Sequence, residues 1–254
     1  MPSLPLIEPD TALFLDFDGT LADLAPRPDL VRVEPELLGT LRRLHEALDG
    51  ALAIVSGRPI AELDAFLHPL RLPAAGVHGA EYRHDGEAAA VAAPPALALL
   101  WERLAPLARA YPELLLEPKS AALAVHYRAA PQLEALVRAA LAEAVRGLHG
   151  LEILPGKMVM EVKPAGIDKG SAIAAFMRAE PFASRRPLFA GDDVTDEAGF
   201  VAVHALGGLG VLVGERPSAA GVSVPGPAAL RCWLHRSAAA LAAPRGGPFR
   251  TAFT

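Results

Sequence analysis

Residues 12–17 form a short apolar run that ends in acids, and Gly19-Thr20 follow at once. An apolar run of this length without alternation fits a strand buried on both faces, as in a parallel sheet sheathed by helices. Side chains alternate across a strand, so Asp16 and Asp18 point the same way at its carboxyl end. Open α/β sheets bind ligands at that end. Two like charges there are costly unless a cation neutralises them or one carries a proton. Gly19 permits a sharp turn, and the N–H groups of such a turn can cradle an anion.

The chain that follows keeps to this constraint and then departs from it. Residues 35–48 carry Leu at helical spacing and stop at Gly50, residues 51–55 read as a second buried strand, and Pro59 opens a helix to about His68. Val77 falls in a third strand-like piece, which makes a parallel sheet with crossover helices. The rhythm changes after that. A helix over 95–110, paired strands at 114–117 and 123–128, a helix over 131–148 and a hairpin of 151–154 with 158–163 around Pro155-Gly156 predict an α+β module. The parallel pattern resumes with a helix from Lys169, a strand at 187–190, a helix from Thr195, a strand at 210–213 and a last helix after Pro227. The tail from Pro244 is rich in Gly and Pro and is expected to fray. The expected architecture is α/β: a doubly wound, Rossmann-like core of residues 1–82 and 168–254, interrupted by a smaller α+β cap at 83–167. Cap closure is expected to bend the chain near residues 81–83 and 164–167.

Composition narrows the function classes. With 254 residues, 52% of them hydrophobic, the chain can bury a large core, and a net charge of −5 without a basic stripe argues against general nucleic-acid or anionic-membrane binding. The N-terminus lacks a basic segment and a long apolar run, and the single Cys232 suits a reducing compartment, so a cytoplasmic location is expected. Cys232, beside Trp233, is expected in the core, and the scattered His45, His68, His84, His149, His204 and His235 at the surface or satisfied. Of the 24 basic residues only four are Lys, and Lys119, Lys157, Lys163 and Lys169 all fall within residues 119–169. In a chain this biased to Arg, such a cluster points to sites that need a compact ammonium rather than a planar fork.

Three further signals stand at ends of expected core elements. Ser56-Gly57-Arg58 ends the second strand, where a hydroxyl before a helix can donate to a phosphate oxygen or simply cap the helix. Asp192, Asp193 and Asp196 follow the strand at 187–190 and offer hard oxygen ligands suited to Mg²⁺, or charged capping of the next helix. Lys169 opens the helix after the insert, a position where a lone Lys is usually solvated. In order on one sheet, the four signals resemble the motifs of the haloacid dehalogenase-like phosphatase superfamily, and the insert is similar to its α/β cap of the second type. The resemblance implies Asp16 as nucleophile and Asp18 as acid and base. It implies Ser56 and Lys169 on phosphoryl oxygens, Mg²⁺ held by Asp16, Asp192 and the Asp18 carbonyl, and Asp193 and Asp196 just outside the metal.

The segments Gly76-Val77-His78-Gly79-Ala80-Glu81, Lys119-Ser120 with His126-Tyr127-Arg128, and Gly156-Lys157 with Glu161-Val162-Lys163-Pro164 are similar to trehalose-6-phosphate phosphatases. That likeness implies Lys119, Arg128, Lys157 and Glu161 on the distal glucose and His78 near the phosphorylated one, with Gly57 and Arg58 also at the substrate. It implies a small sugar phosphate, trehalose 6-phosphate, as substrate and a trehalose-phosphate synthase as functional partner. Where the family often has a more polar residue, this chain has Val159 and Met160, one sugar contact fewer. A sucrose-phosphate or glycosyl-phosphoglycerate phosphatase and a sugar-phosphate mutase share the core motifs. A non-catalytic sugar-phosphate sensor would not need both Asp16 and Asp18.

Overall fold

Every residue of β1 (Thr11–Leu15) is buried, and this strand lies near the middle of the larger of two sheets in the computed structural model, which describes residues 4–86, 89–90 and 94–243. The elements around it are α1 (Pro35–Ala47), β2 (Leu52–Val55), α2 (Ile60–Leu67), β3 (Ala74–Gly76), β4 (Glu81–Arg83) and β5 (Ala89–Ala90). The insert supplies α3 (Ala96–Ala110), β6 (Leu115–Pro118), β7 (Leu123–His126), α4 (Glu134–Ala144), β8 (Leu151–Gly156) and β9 (Val159–Pro164). The chain then returns through α5 (Lys169–Phe176), β10 (Arg186–Gly191), α6 (Glu197–Ala205), β11 (Leu209–Val213), β12 (Val222–Val224) and α7 (Pro227–Ala242).

The larger sheet runs β12-β11-β10-β1-β2-β3-β4-β5, parallel from β12 to β3 and antiparallel beyond. Helix α1 packs on α7 and α5 on α6. Phe14, Phe176 and Phe182 cluster within the core, with Phe14 and Phe182 stacked at a centroid distance of 5.4 Å and Phe176 tilted against both. The expected α/β class holds. Because β1 and β10 are neighbours in register, with Leu15 opposite Ala190, Asp16 and the acidic segment after β10 emerge side by side.

The second sheet is antiparallel, β6-β7-β9-β8, and α3 and α4 cover one of its faces. Leu100, Leu104, Leu123, Val125, Val137, Leu141, Met160 and Val162 make a separate core there. Alternation sends Glu161, next to Met160 and Val162, to the opposite face.

Several local expectations are corrected. Pro155 and Gly156 are strand residues opposite Met160 and Val159, and the turn falls at Lys157-Met158, where Met158 has φ 63°. β8 is an edge strand, so Pro155 can sit in it without breaking the ladder. Val77 is not in a strand but in a short turn with His78, both at positive φ. Residues 81–83 are not a crossing: β4 is bonded between β3 and β5, and the Arg83 guanidinium is anchored on Asp64 and the Leu72 carbonyl. The second crossing, after β9, does contain coil, with Gly166 at φ 75°. Cys232 is exposed, because α7 buries the stripe Leu230, Trp233, Leu234, Ser237 and Ala238, which 232 misses. The tail from Pro244 lies outside the described residues. No helix among the described residues is long and apolar enough to cross a membrane.

Candidate active site

The turn after β1 is closed by the Phe17 carbonyl, which accepts from the N–H groups of Thr20, Leu21 and Ala22. Gly19 sits in it at φ 80°, and a Cβ there would fall 2.3 Å from Asp192 Oδ2, so only glycine lets the two acidic segments approach. Asp16 is buried, and its N–H donates to the Ala190 carbonyl at 2.9 Å, tying β1 to β10 at the site itself.

Lys169 is the first residue of α5, whose N-terminus is capped by Asp168 with Ser171. Its buried ammonium donates to Asp16 Oδ1 at 2.7 Å and to Asp196 Oδ1 at 2.6 Å. Burial opposes that charge, but the two carboxylates outweigh it and hold the Lys169 pKa above its ordinary value. Burial also pushes the Asp16 carboxyl well above the usual carboxylate range, with Lys169 opposing and Asp196 and Asp192 adding to the rise. Asp192 is pushed up to about 7 by burial, then by Asp196 and Asp193.

Asp196 is held by three donors within the protein. Its second oxygen accepts the N–H groups of Asp192 at 2.9 Å and Asp193 at 2.8 Å. Arg216 holds the same loop from outside through the Asp192 and Asp193 carbonyls. One oxygen each of Asp16, Asp192 and Asp196 lie within 4.8 Å of one another. Carboxylates gathered so closely that two are driven toward protonation fit a hard divalent cation, which would supply the missing charge.

At the end of β2, Ser56 is buried and its hydroxyl accepts the Arg58 N–H at 3.2 Å. The Arg58 fork grips Asp18 with two bonds of 2.6 and 2.8 Å, and its remaining amine reaches Glu62 at 2.9 Å. It also lies over the Phe66 ring, 4.7 Å from the centroid. Arg58, expected on the substrate, lines the cleft and holds Asp18. Gly57 turns its carbonyl to Lys119 Nζ at 2.8 Å, so it meets the second sheet.

That second sheet closes over the first site. Glu161 is buried and accepts from Lys119, and its other oxygen is 2.8 Å from His78 Nε2, at an angle outside hydrogen-bond geometry. Burial alone would raise the Glu161 pKa, but Lys119 and His78 hold it far below the usual range. Burial pushes the His78 pKa down, with Glu161 opposing. Arg128 donates to the Ala25 carbonyl, and the Lys157 N–H donates to Asp193 Oδ2 at 3.0 Å while the Lys157 side chain stays exposed. All the residues expected at the site except the buried Asp196 line one cleft. Lys163 turns away, buried against Glu152 and the Ile167 carbonyl.

Sequence reasoning missed Arg216, Glu117 and the segment around Leu24–Arg27. Glu117 also lines the cleft and meets His126 at 2.6 Å; it shares strand parity with Lys119, a signal that was there to read. Arg216 and the 24–27 segment lie in loops without periodicity.

Comparison with known proteins finds relatives in sequence and in fold. The family model described as trehalose-phosphatase matches residues 14–226. The chain is 42% identical over 239 residues to "Trehalose-6-phosphate phosphatase" of Escherichia coli K12, covering 93% of this chain and 90% of that one. It is 44% identical over 227 residues to a "Probable trehalose-phosphate phosphatase" of Sinorhizobium fredii, with 87% and 84% covered. Among solved structures, the C-terminal domain of a C. albicans trehalose-6-phosphate phosphatase shares the fold, with a TM-score of 0.81 at 21% identity over 90% of this chain and 92% of that one. A trehalose-6-phosphate phosphatase related protein gives 0.75 at 28%, over 90% and 97%.

Proposed function

The chain belongs to the trehalose-phosphatase family and is a phosphatase, and from that premise we propose how it hydrolyses trehalose 6-phosphate to trehalose and phosphate. Asp16 attacks phosphorus as the bond to the sugar oxygen breaks, and Asp18 gives that oxygen its proton. The aspartyl-phosphate at Asp16 is then cleaved by water, whose proton returns to Asp18, and Asp16 is regenerated. Arg58 holds both Asp18 oxygens in the unliganded cleft; one of these bonds gives way when Asp18 carries its proton, and the other keeps the carboxyl aimed at the cleft. An ammonium has three donors, and Lys169 uses two on Asp16 and Asp196, which leaves one for a phosphoryl oxygen. Ser56 accepts from Arg58 N–H and keeps its own proton to donate to another.

Asp16, Asp192 and the Asp18 carbonyl would hold Mg²⁺, with Asp193 and Asp196 around them. When bound, the ion would supply positive charge that keeps the buried carboxylates ionised and offsets charge on the phosphoryl group. The division into a core and a substrate-specificity cap is part of this reading: the four-stranded sheet with α3 and α4 is the cap, and β4 and β5 go with the core. Lys119, Arg128, Lys157 and Glu161 hold the distal glucose and His78 the phosphorylated one. A synthase must make the substrate, and both enzymes work in the cytoplasm.

The observation that carries the reading is the buried Lys119–Glu161–His78 cluster, set by the cap over Asp16 and Lys169. Its test is phosphate release, with Mg²⁺ present, from trehalose 6-phosphate, sucrose 6-phosphate, glucose 6-phosphate and mannosyl-phosphoglycerate. Trehalose 6-phosphate should have the highest kcat/KM; a higher value for another ester overturns the assignment.

A further inference from the structure

Glu81 and Ser120 stand in the segments of His78 and Lys119, but the mechanism gives neither of them a role. Glu81 lies in β4 and is buried, with each carboxylate oxygen serving a different part of the molecule. One oxygen accepts the Ile60 N–H at 2.6 Å, the first amide of α2, a helix whose own N-cap, Pro59, has no side-chain acceptor. The other accepts the Ser120 hydroxyl in the cap turn between β6 and β7. Space around this carboxylate is tight: a Cβ on Gly76 would come within 2.9 Å of Glu81 Oε2 and 2.7 Å of the Arg58 carbonyl.

The two parts it joins are the ones that must agree for reaction. On the core side, residues 56–60 carry Ser56 and Arg58, and the Val77 and His78 N–H groups bond the Arg58 and Ser56 carbonyls. On the cap side, Ser120 follows Lys119, whose N–H closes the turn on Ala122 and whose ammonium reaches Gly57 and Glu161. A small apolar cluster of Val77, Ala80, Ala121 and Ala122 lies under the joint.

We propose that Glu81 and Ser120 form a strut between the phosphate-holding loop and the cap turn, and so position Lys119 over the substrate. The reading rests on the proposed sugar-phosphate site and adds two positioning residues to it. The carboxylate is shared, so movement of the turn is felt at the α2 N-terminus and the reverse. The exposed flank of Ser120 and the apolar cluster below let the turn survive loss of the hydroxyl.

Ser120→Ala, Ser120→Thr, Glu81→Ala and the Ala–Ala double variant test it on trehalose 6-phosphate and on 4-nitrophenyl phosphate. Loss of a hydrogen bond to a charged acceptor predicts a KM for trehalose 6-phosphate raised roughly ten-fold in Ser120→Ala. The aryl ester, which has no distal glucose for Lys119 to hold, should lose several times less, and Ser120→Thr should restore KM. The double variant should be no worse than Glu81→Ala, since the bond is already gone; losses that multiply overturn the strut. Amide exchange of the unliganded protein is the second readout, with residues 57–62 exchanging faster in Ser120→Ala. Faster exchange with unchanged KM makes the pair a structural tie and overturns the positioning role. Unchanged exchange overturns the strut itself. Should Glu81→Ala fail to fold, the two Ser120 variants and the exchange still decide. A wild type inactive on trehalose 6-phosphate overturns the substrate reading alone, and exchange, which needs no substrate, then decides the strut.

Discussion

Replacing Glu161 by Gln should damage sugar recognition more than phosphoryl transfer. Glu161 is 5% exposed and is the counter-charge for Lys119, with His78 Nε2 2.8 Å from its second oxygen. Gln keeps the shape and one acceptor for Lys119 but removes the charge and places an NH₂ against His78 or the sugar. A hydrogen bond to a charged group contributes about 1.5–3 kcal/mol, so kcat/KM for trehalose 6-phosphate should fall roughly 10- to 150-fold. Glu161→Ala goes further, since it strands the buried Lys119 ammonium, and should also destabilise the fold by about 3–5 kcal/mol. The assay is steady-state phosphate release from trehalose 6-phosphate and from a small aryl phosphate, with the thermal midpoint of each variant alongside. The loss on the aryl ester should be several times smaller, because that substrate has no second glucose. It need not vanish, since Lys119 also touches the Gly57 carbonyl. Equal losses on both esters at an unchanged midpoint would place Glu161 in the chemistry and refute the reasoning.

Asp16→Asn should lower turnover by roughly a thousand-fold or more while the thermal midpoint stays or rises, because a buried acid is replaced by an isosteric amide. Excess chelator should silence the wild type and Mg²⁺ restore it; activity that persists in chelator contradicts the metal role. Gly19→Ala should cost about 1–3 kcal/mol by urea unfolding, for the strain of φ 80° alone, and activity should fall with it as the new Cβ displaces Asp192. An unchanged urea midpoint would show that the turn relaxes freely. His78 makes acid destabilising: burial holds its folded pKa below the ordinary 6.5, so its stabilising effect is present above that value and is lost as pH falls below it. Asp16 and Asp192, raised on folding, act the other way over the same range, so the signature is a difference. From pH 7 to 5 the wild type should lose urea midpoint relative to His78→Gln, and parallel profiles would mean that His78 does not titrate differently on folding.

The sequence carried most of the core site because each part lay where a strong periodic signal ended. An apolar β1 fixes the direction of Asp16, and the adjacency of β1 and β10 does the rest. The scarcity of Lys was informative too: Lys119, Lys163 and Lys169 are buried in ion pairs, the environments where a compact ammonium is wanted, while Lys157 is exposed and engages Asp193 through its backbone. What was not legible has local causes. Pro155-Gly156 has turn composition, yet an edge strand tolerates it and Met158 takes the positive φ instead. Arg58 follows a phosphate-type Ser, but its fork was settled by tertiary placement, opposite Asp18 from the neighbouring strand. β12, three residues long, and Arg216, in a loop, leave no pattern to read. Cys232 was legible and misread, since helical spacing from Leu230 and Trp233 already excludes it from the buried stripe.

The central claim is that Asp16 carries the phosphoryl group. Enzyme turning over trehalose 6-phosphate, quenched in acid and reduced with borohydride, converts an acyl phosphate on Asp to homoserine. Peptide mass spectrometry should find homoserine at position 16, dependent on substrate, and none in Asp16→Asn. Rapid hydrolysis with no modification at Asp16, or with homoserine formed at Asp18 or Asp192 instead, would contradict the account.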